Sequence, residues 1–501
     1  MPSSSPHAPI SRSKFFLCLG LVTVMFIGIR APLLDRPWHQ DEQHTLAFHL
    51  AGFERTPFPQ SFATEARPRT KLPDHITEAI VKASERRSSR PVQVQSWSRT
   101  LFANEQGNNS PPATALARLC NGVSHWFHGT AEPVVHQLAV RLPSLLCAAL
   151  AAAALFALCA SRLGLVAALV ASLLFALHPL VIDLSTLMRG YAFLLLMQTG
   201  SWWCYSIAIE QKDRRAWWAG AATTAGALWA FPGYGYVTIL LQGWLTWHLW
   251  RSRENGMWKT WLVSHSIAAI AWALVAWPAF AELYALMKSR YPFESHHWLW
   301  IPRMLGEGLS GLQVPDYPYA PLAQPADTAT ALSQTWQTMP GALLIAWIVI
   351  PVMLVIGIWR LVRQGHIWLV VCIISTATGA LLSTGHQAAL RHEMLPWYGI
   401  YLAPASCLAL SGCIPPHRRS QHAAALILLL MFGWLTFPDQ RPGRLHLYPN
   451  RSIAQVGYYH DTAALVTLSD GRTLLAFPSV PPAIRPPMMR PGAGPKRFQP
   501  R

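Results

Sequence analysis

Residues 14–42 read KFFLCLGLVTVMFIGIRAPLLDRPWHQDE. A basic flank (Arg12, Lys14) precedes an apolar run from Phe15 to Ile29, which breaks at Arg30-Ala31-Pro32. About 20 apolar residues suffice to cross a bilayer. No small-x-small cleavage site follows, so the run is expected to be a retained signal-anchor helix and not a removed signal peptide. A few residues on, beside Trp38 and His39, stand two adjacent acids, Asp41 and Glu42, at the head of a long polar loop. Solvated loop acids are the ordinary reading of such a pair. The alternative is a carboxylate whose pKa is raised by nearby low-dielectric material, which can then serve as a base.

The rest of the chain repeats this alternation of apolar runs and Arg-rich breaks. Of 501 residues, 52% are hydrophobic and 13% charged, against about 25% charged in soluble domains. Spans are expected near 14–34, 138–160, 164–182, 191–209, 216–231, 233–250, 260–280, 340–359, 366–384, 394–413 and 422–437. With the N-terminus inside, every inner connection is short and basic: Ser161-Arg162, Lys212 to Arg215, Arg251 to Lys259, Arg360 to Arg363, and Arg418-Arg419. The net charge of +17 is therefore topogenic charge with affinity for anionic lipid or phosphate, and nucleic acid is not an expected partner. The 23 Trp residues fit interfacial anchoring.

The fold class expected is an all-α polytopic membrane protein of about eleven transmembrane helices, with a long helical first periplasmic loop. A cytoplasmic tail, 1–13, precedes a transmembrane domain, 14–437, which carries periplasmic loops 35–137 and 282–339. Helical patches are expected at 74–88 and 112–127. A small periplasmic segment, 438–477, includes two apolar runs flanking Ser469-Asp470-Gly471-Arg472, a β-hairpin signal. The Pro/Arg-rich stretch 478–501 is expected to be disordered. The two long loops exceed what a connection needs and point to function.

Several outer-edge residues are candidates for chemistry. Arg189, followed by Gly190-Tyr191, lies in the short outer turn between the third and fourth spans. An Arg on that side does not serve topology; it suits an anionic head group, with interfacial snorkelling as the ordinary alternative. Arg391-His392-Glu393, with His386 before them, repeat the situation at the tenth span. In the first loop, Glu105 and Asn108-Asn109-Ser110 precede Pro111-Pro112, which marks a helix start whose amides can face an anion. Glu105, Asn109 and Ser110 are the candidates this loop offers. Among the 8 Cys there is no disulfide framework or CxxC site, and His125-x-x-His128 lacks a third ligand, so no metal site is expected. A divalent ion could assist at the acids, without a complete ligand set in view.

In chain order, Trp38-x-x-Asp41-Glu42, Pro111-Pro112, Gly129-Thr130-Ala131-Glu132, Arg141-Leu142-Pro143-Ser144-Leu145-Leu146, His178-Pro179 and Arg189-Gly190-Tyr191 form a set that resembles the C-type (GT-C) glycosyltransferases. The branch is the bacterial one related to protein mannosyltransferases and lipid A aminoarabinose transferase. The similarity covers roughly residues 14 to 250 and continues more loosely to Arg391-His392. It implies transfer of a sugar from a polyprenyl-phosphate carrier to an acceptor hydroxyl at the periplasmic face of the bacterial inner membrane, with inversion. Asp41 becomes the candidate base and Glu42 its partner. Arg189, Tyr191, Arg391, His392 and Ser110 become candidates for the lipid-phosphate donor site, and Glu105 and Asn109 for the acceptor or loop site. The partners implied are membrane lipids, the lipid-linked sugar and an acceptor that is a lipid, glycan or protein.

This division of labour is chemically coherent. A direct displacement needs one base, and a phosphate leaving group needs cations rather than an acid. A retaining hydrolase would need two carboxylates about 5 Å apart. The sequence departs from its relatives where they often carry Lys or His before Pro-Pro and then Leu-Tyr-Tyr. Here Asn109-Ser110 precede and Ala113-Thr114-Ala115 follow. Pro232-Gly233-Tyr234-Gly235-Tyr236 stands where relatives often have Thr-His, and His392 replaces a Tyr. A transporter or flippase is the alternative class; it usually carries mid-membrane charge and repeated halves, whereas here the charges gather at outer edges and no halves are apparent.

Overall fold

A computed structural model describes residues 11–34, 42, 45–46, 50, 54–58, 95–104, 109–130, 135–252, 255–289, 305–306, 308–310, 341–389, 396–415, 418–436, 464–467 and 473–478. Asp41, Glu105, Arg391 and His392, the expected helix at 74–88, most of the second long loop and the tail beyond Pro478 lie outside these residues.

Helices dominate, as expected. The first, α1 (Arg12–Arg30), starts where the Ser11 hydroxyl accepts the Lys14 amide and continues into a 3-10 turn, Ala31–Leu33, where Pro32 ends it. The first long loop contributes α2 (Trp97–Phe102) and α3 (Pro111–His128). Then follow α4 (Gln137–Leu163), α5 (Leu165–Leu177), the short α6 (Pro179–Leu184), α7 (Tyr191–Glu210), α8 (Arg214–Ala230), α9 (Gly235–Ser252) and α10 (Asn255–Ser289). After the second loop come α11 (Gly341–Arg363), α12 (Ile367–Ala389), α13 (Leu402–Ser411) and α14 (Arg418–Thr436). A helix stands at each expected span. Among the described residues, five stretches, Arg12–Leu33, Gln137–Leu163, Tyr191–Glu210, Gly256–Glu282 and Ile367–Gln387, are long and apolar enough to cross a membrane on length and composition alone.

The bundle is built around α4 and α7. α4 packs against α1, α3, α5 and α7, and α7 against α8. Small residues on α4 (Ala148, Ala151, Ala152) are fully buried beside Leu155 and Phe156, which lets the backbones approach closely where lipid supplies no hydrophobic drive between helices. The opposite face of α4 presents Leu138, Leu142, Leu146 and Leu150, all exposed. Their i, i+4 spacing makes one apolar stripe, suited to lipid. The connection from α4 to α5 is Gly164 alone, at φ +85°. Only glycine adopts that conformation freely, and it allows reversal within one residue. Beside it Arg162 pairs with Glu210 at the end of α7.

Among the described residues, three strands accompany the helices. β2 (Ala464–Thr467) and β3 (Thr473–Pro478) run antiparallel, Thr467 opposite Thr473, so the expected hairpin is present. β1 (Glu54–Phe58), from the first long loop, pairs in parallel with β3, Glu54 opposite Leu474 and Phe58 opposite Pro478. The order is β1-β3-β2. Glu-Arg-Thr-Pro-Phe carries a proline and two charges and no alternating pattern, so it does not read as a strand; Pro57 is tolerated because β1 is an edge.

The sheet constrains topology. First loop and C-terminal segment must share one side of the membrane, so an even number of crossings separates them. Among the described helices between Phe58 and Ala464, ten coincide with expected spans: α4, α5 and α7 to α14. Single cysteines at Thr56 and Asp470, in a background cleared of native cysteines, are therefore expected to react with a membrane-impermeant maleimide from the same face. Labelling from opposite faces would contradict the strand pairing.

Candidate active site

The turn from His178 to Tyr191 organises one end of the bundle. His178 ends α5, and Pro179 opens α6 at its first position, where a missing N–H costs nothing. After Leu184 the chain turns through Ser185 to Gly190 and enters α7. Every residue from His178 to Ala192 is buried. A buried, polar turn draws partners for its groups from neighbouring segments, and three arginines stand in or around this one.

The first is Arg30, fully buried at the end of α1. Its Nε donates to Ser185 Oγ at 2.7 Å, Nη2 to the Ala176 carbonyl at 2.8 Å and Nη1 to the Phe26 carbonyl at 3.2 Å. Its guanidinium lies 3.5 Å over the Phe26 ring, and Asp183 on α6 attracts it electrostatically. The second is Arg141, one turn into α4. Its Nε and Nη2 donate to Glu42 Oε1 and Oε2 at 2.9 and 2.6 Å, both side chains wholly buried. Nη1 donates to the Leu34 carbonyl at 2.8 Å. This fork-to-fork geometry is the strongest form of ion pair and fixes direction as well as distance. Glu42 Oε1 also accepts the Met188 amide at 2.7 Å. One carboxylate thus joins the head of the first loop, the start of α4 and the turn.

The third, Arg189, follows Met188. It is 7% exposed, donates through Nη1 to Thr45 Oγ1 at 3.2 Å, and its Cζ lies 5.8 Å from the centroid of the Tyr191 ring. Gly190 then meets the first loop. A Cβ built there would stand 2.6 Å from Ser110 Cβ and Oγ and 3.2 Å from the Ala230 carbonyl. The absent side chain lets the N-terminus of α3 dock on this turn, so Ser110 lies against Gly190, between Arg189 and Tyr191 in sequence.

Asn109 serves the loop itself. Its amide nitrogen donates to the Thr100 and Ala103 carbonyls at 2.9 and 2.7 Å, its Oδ1 accepts from Thr114 Oγ1 at 2.8 Å, and its backbone N–H donates to Asn104 Oδ1 at 3.0 Å. Arg118 donates to Thr100 Oγ1 at 3.0 Å and lies 4.5 Å over the Trp97 ring. The Asn104 amide meets the Glu282 carboxylate near the end of α10. The joint between α2 and α3 is thus knotted and tied to a membrane helix.

The site therefore brings together Glu42, Ser110, Arg189 and Tyr191 from the residues expected, while Asn109 holds the α2–α3 joint. Asp41 is the residue bonded to Glu42. Sequence reasoning did not single out Arg141, Thr45, Arg30 or the Met188 amide as parts of the site. A signal existed for Arg141: it opens the Arg141-Leu142-Pro143-Ser144-Leu145-Leu146 motif of the ordered set. Among the described residues, no group of three or more His, Cys, Asp or Glu is placed to hold a metal ion.

This geometry frames the comparison with known proteins. Residues 126–277 match the family model of the dolichyl-phosphate-mannose-protein mannosyltransferases. The match bears out, over that segment, the resemblance drawn from the ordered motifs, and it contains Arg141, Arg189 and Tyr191. No curated protein sequence matches the chain significantly. Solved structures that align with it include ArnT from Cupriavidus metallidurans in the apo state, at 10% identity and a TM-score of 0.43, covering 83% of this chain and 62% of that one. The same protein bound to undecaprenyl phosphate aligns at 11% identity and 0.41, covering 83% and 63%. An Archaeoglobus fulgidus oligosaccharyltransferase tethered with an acceptor peptide aligns at 10% and 0.42, covering 88% and 56%. The chain spans about three fifths of the length of the solved structures it matches.

Proposed function

We propose that this protein is a membrane glycosyltransferase that moves a sugar from a polyprenyl-phosphate donor to an acceptor hydroxyl at the periplasmic face of the bacterial inner membrane, with inversion. The observation that carries the reading is the buried latch of Glu42 on Arg141 and the Met188 amide. It joins the acidic pair to the turn that bears Arg189, Tyr191 and, through Gly190, Ser110. A carboxylate base and a phosphate-binding cation are what a single displacement at a lipid-phosphate sugar needs, and the family model covers the cationic half.

In this mechanism Asp41 accepts the proton of the acceptor hydroxyl as its oxygen forms the new bond to the anomeric carbon. The bond from that carbon to the phosphate oxygen breaks, and its electron pair leaves with polyprenyl phosphate, which gains one negative charge. Arg189 stabilises that charge from the turn, with Arg391 and His392 as further candidates, while Ser110 and Tyr191 orient the phosphate. Glu42 is neutralised by Arg141, so it positions Asp41 and does not share its proton. Glu105 is the candidate contact for the acceptor.

Purified protein supplied with polyprenyl-phosphate sugar and acceptor is expected to release polyprenyl phosphate only when both are present. Passage of a lipid-linked substrate across proteoliposomes without sugar transfer would favour the transport class instead. Within the working enzyme, Arg189→Lys keeps a charge but loses the planar fork. It is expected to raise the donor KM roughly 10- to 100-fold, about 1.4 to 2.8 kcal/mol, with a smaller change in kcat. An unchanged donor KM removes Arg189 from the phosphate site.

A further inference from the structure

The helix α3 is amphipathic the wrong way round for water. Arg118, Asn121, Ser124 and His125 lie on its buried face. Each has a hydrogen-bond partner: Arg118 the Thr100 hydroxyl, Asn121 the His136 backbone N–H, Ser124 the His128 ring and His125 the Thr130 hydroxyl. The exposed face carries Leu119, Val123, Trp126 and Phe127, with Gly122 among them. Positions i, i+4, i+7 and i+8 fall on one side of a helix. Trp126 and Phe127 are 79% and 70% exposed. A helix on a soluble surface shows the reverse, with polar side chains outward and apolar ones toward the core. A contiguous apolar face of this kind marks contact with another molecule or with membrane.

The fold says which. Ser110, at the start of α3, docks on Gly190 in the arginine turn, and Asn121, in its second half, holds the His136 N–H just before α4. Glu42 ties the start of α4 to the same turn through Arg141 and the Met188 amide. Both ends of α3 are thereby held where α4 and α7 begin, so the helix runs across one end of the bundle. Its 18 residues extend about 27 Å, yet its polar face leaves it outside the stretches apolar enough to cross a membrane. Two residues past His136, Leu138 opens the exposed stripe of α4, which continues through Leu142, Leu146 and Leu150 into the span Gln137–Leu163. Lipid that meets this stripe reaches the end of the bundle where α3 lies, and α3 packs against α4 there.

We propose that α3 is an in-plane membrane helix whose Leu119, Val123, Trp126 and Phe127 sit in the headgroup–acyl boundary of the leaflet that α4 enters. An amphipathic helix lying in the interface buries its apolar face in this way, and Trp favours that depth. The attachment is apolar and not electrostatic, because Arg118 is turned inward and no Lys or Arg stands on the exposed face of α3. Since α3 starts at Ser110, the bilayer holds that residue at the level of the arginine turn.

Nitroxide labels on single cysteines, Leu119→Cys, Val123→Cys and Phe127→Cys, in a full chain cleared of native cysteines, test this in phosphatidylcholine nanodiscs. Power-saturation electron paramagnetic resonance compares collisions with oxygen, which concentrates in hydrocarbon, and with a nickel chelate, which stays in water. All three labels are expected to favour oxygen and to read about 5–10 Å into the headgroup–acyl boundary, with a label at Leu146→Cys reading deeper. These substitutions touch none of the inward hydrogen bonds, and the positions are read separately, so one variant that fails to assemble does not decide the result. Labels that favour the nickel chelate would place the face in water and overturn the proposal. Labels shielded from both would place it against protein, a second copy if the spectra broaden by spin–spin contact, and would overturn it equally. Adding anionic phosphatidylglycerol is expected to leave the depth unchanged; insertion that appears only with it would overturn the apolar basis. Depth is read without turnover, so the outcome stands apart from whether the sugar-transfer reading is right.

Discussion

Glu42→Ala is expected to destabilise the protein by about 3–5 kcal/mol, because it leaves the Arg141 guanidinium buried without its charge partner. Both side chains are fully buried and joined by two short bonds, so water cannot replace the lost carboxylate. Arg141→Ala is expected to cost a similar amount by stranding the carboxylate. Removing both charges, as Glu42→Gln with Arg141→Met, is expected to be milder than the sum of the single changes, since partners in one network are not additive. Glu42 also holds the Met188 amide, so each single variant is expected to lose donor affinity along with stability. Thermal unfolding in detergent and donor binding on the same samples check this. A Glu42→Ala protein with wild-type midpoint and affinity would show that the latch carries neither.

Much of this was legible in the chain. Length and apolarity of the runs, with Arg-rich inner breaks, place the helices because a span is dictated by bilayer thickness. Ser110-Pro111-Pro112 marked the start of α3 because proline is preorganised at a first helical position. The Asp-Gly signal marked the hairpin. The partnership of β1 with β3 was not legible: it joins segments from opposite ends of the chain through backbone groups, which leave no trace in Glu-Arg-Thr-Pro-Phe. Likewise, Asp41 and Glu42 look equivalent in sequence, yet burial and the Arg141 fork commit Glu42 to holding the turn. Gly190 read only as part of a motif until Ser110 was found against it.

The central claim is that the acidic pair divides its work: Glu42 anchors and Asp41 takes the acceptor's proton. Asp41→Asn keeps size and hydrogen bonding but removes the base. Losing a positioned general base costs roughly 10²- to 10⁴-fold in rate, whereas the latch through Glu42 is untouched. The decisive measurement is release of polyprenyl phosphate by purified Asp41→Asn protein, with acceptor present, beside its thermal midpoint and donor affinity. The account predicts release reduced by at least about 100-fold, with midpoint and affinity at wild-type values. Turnover within a few-fold of wild type, on a donor the wild-type protein uses, would contradict it.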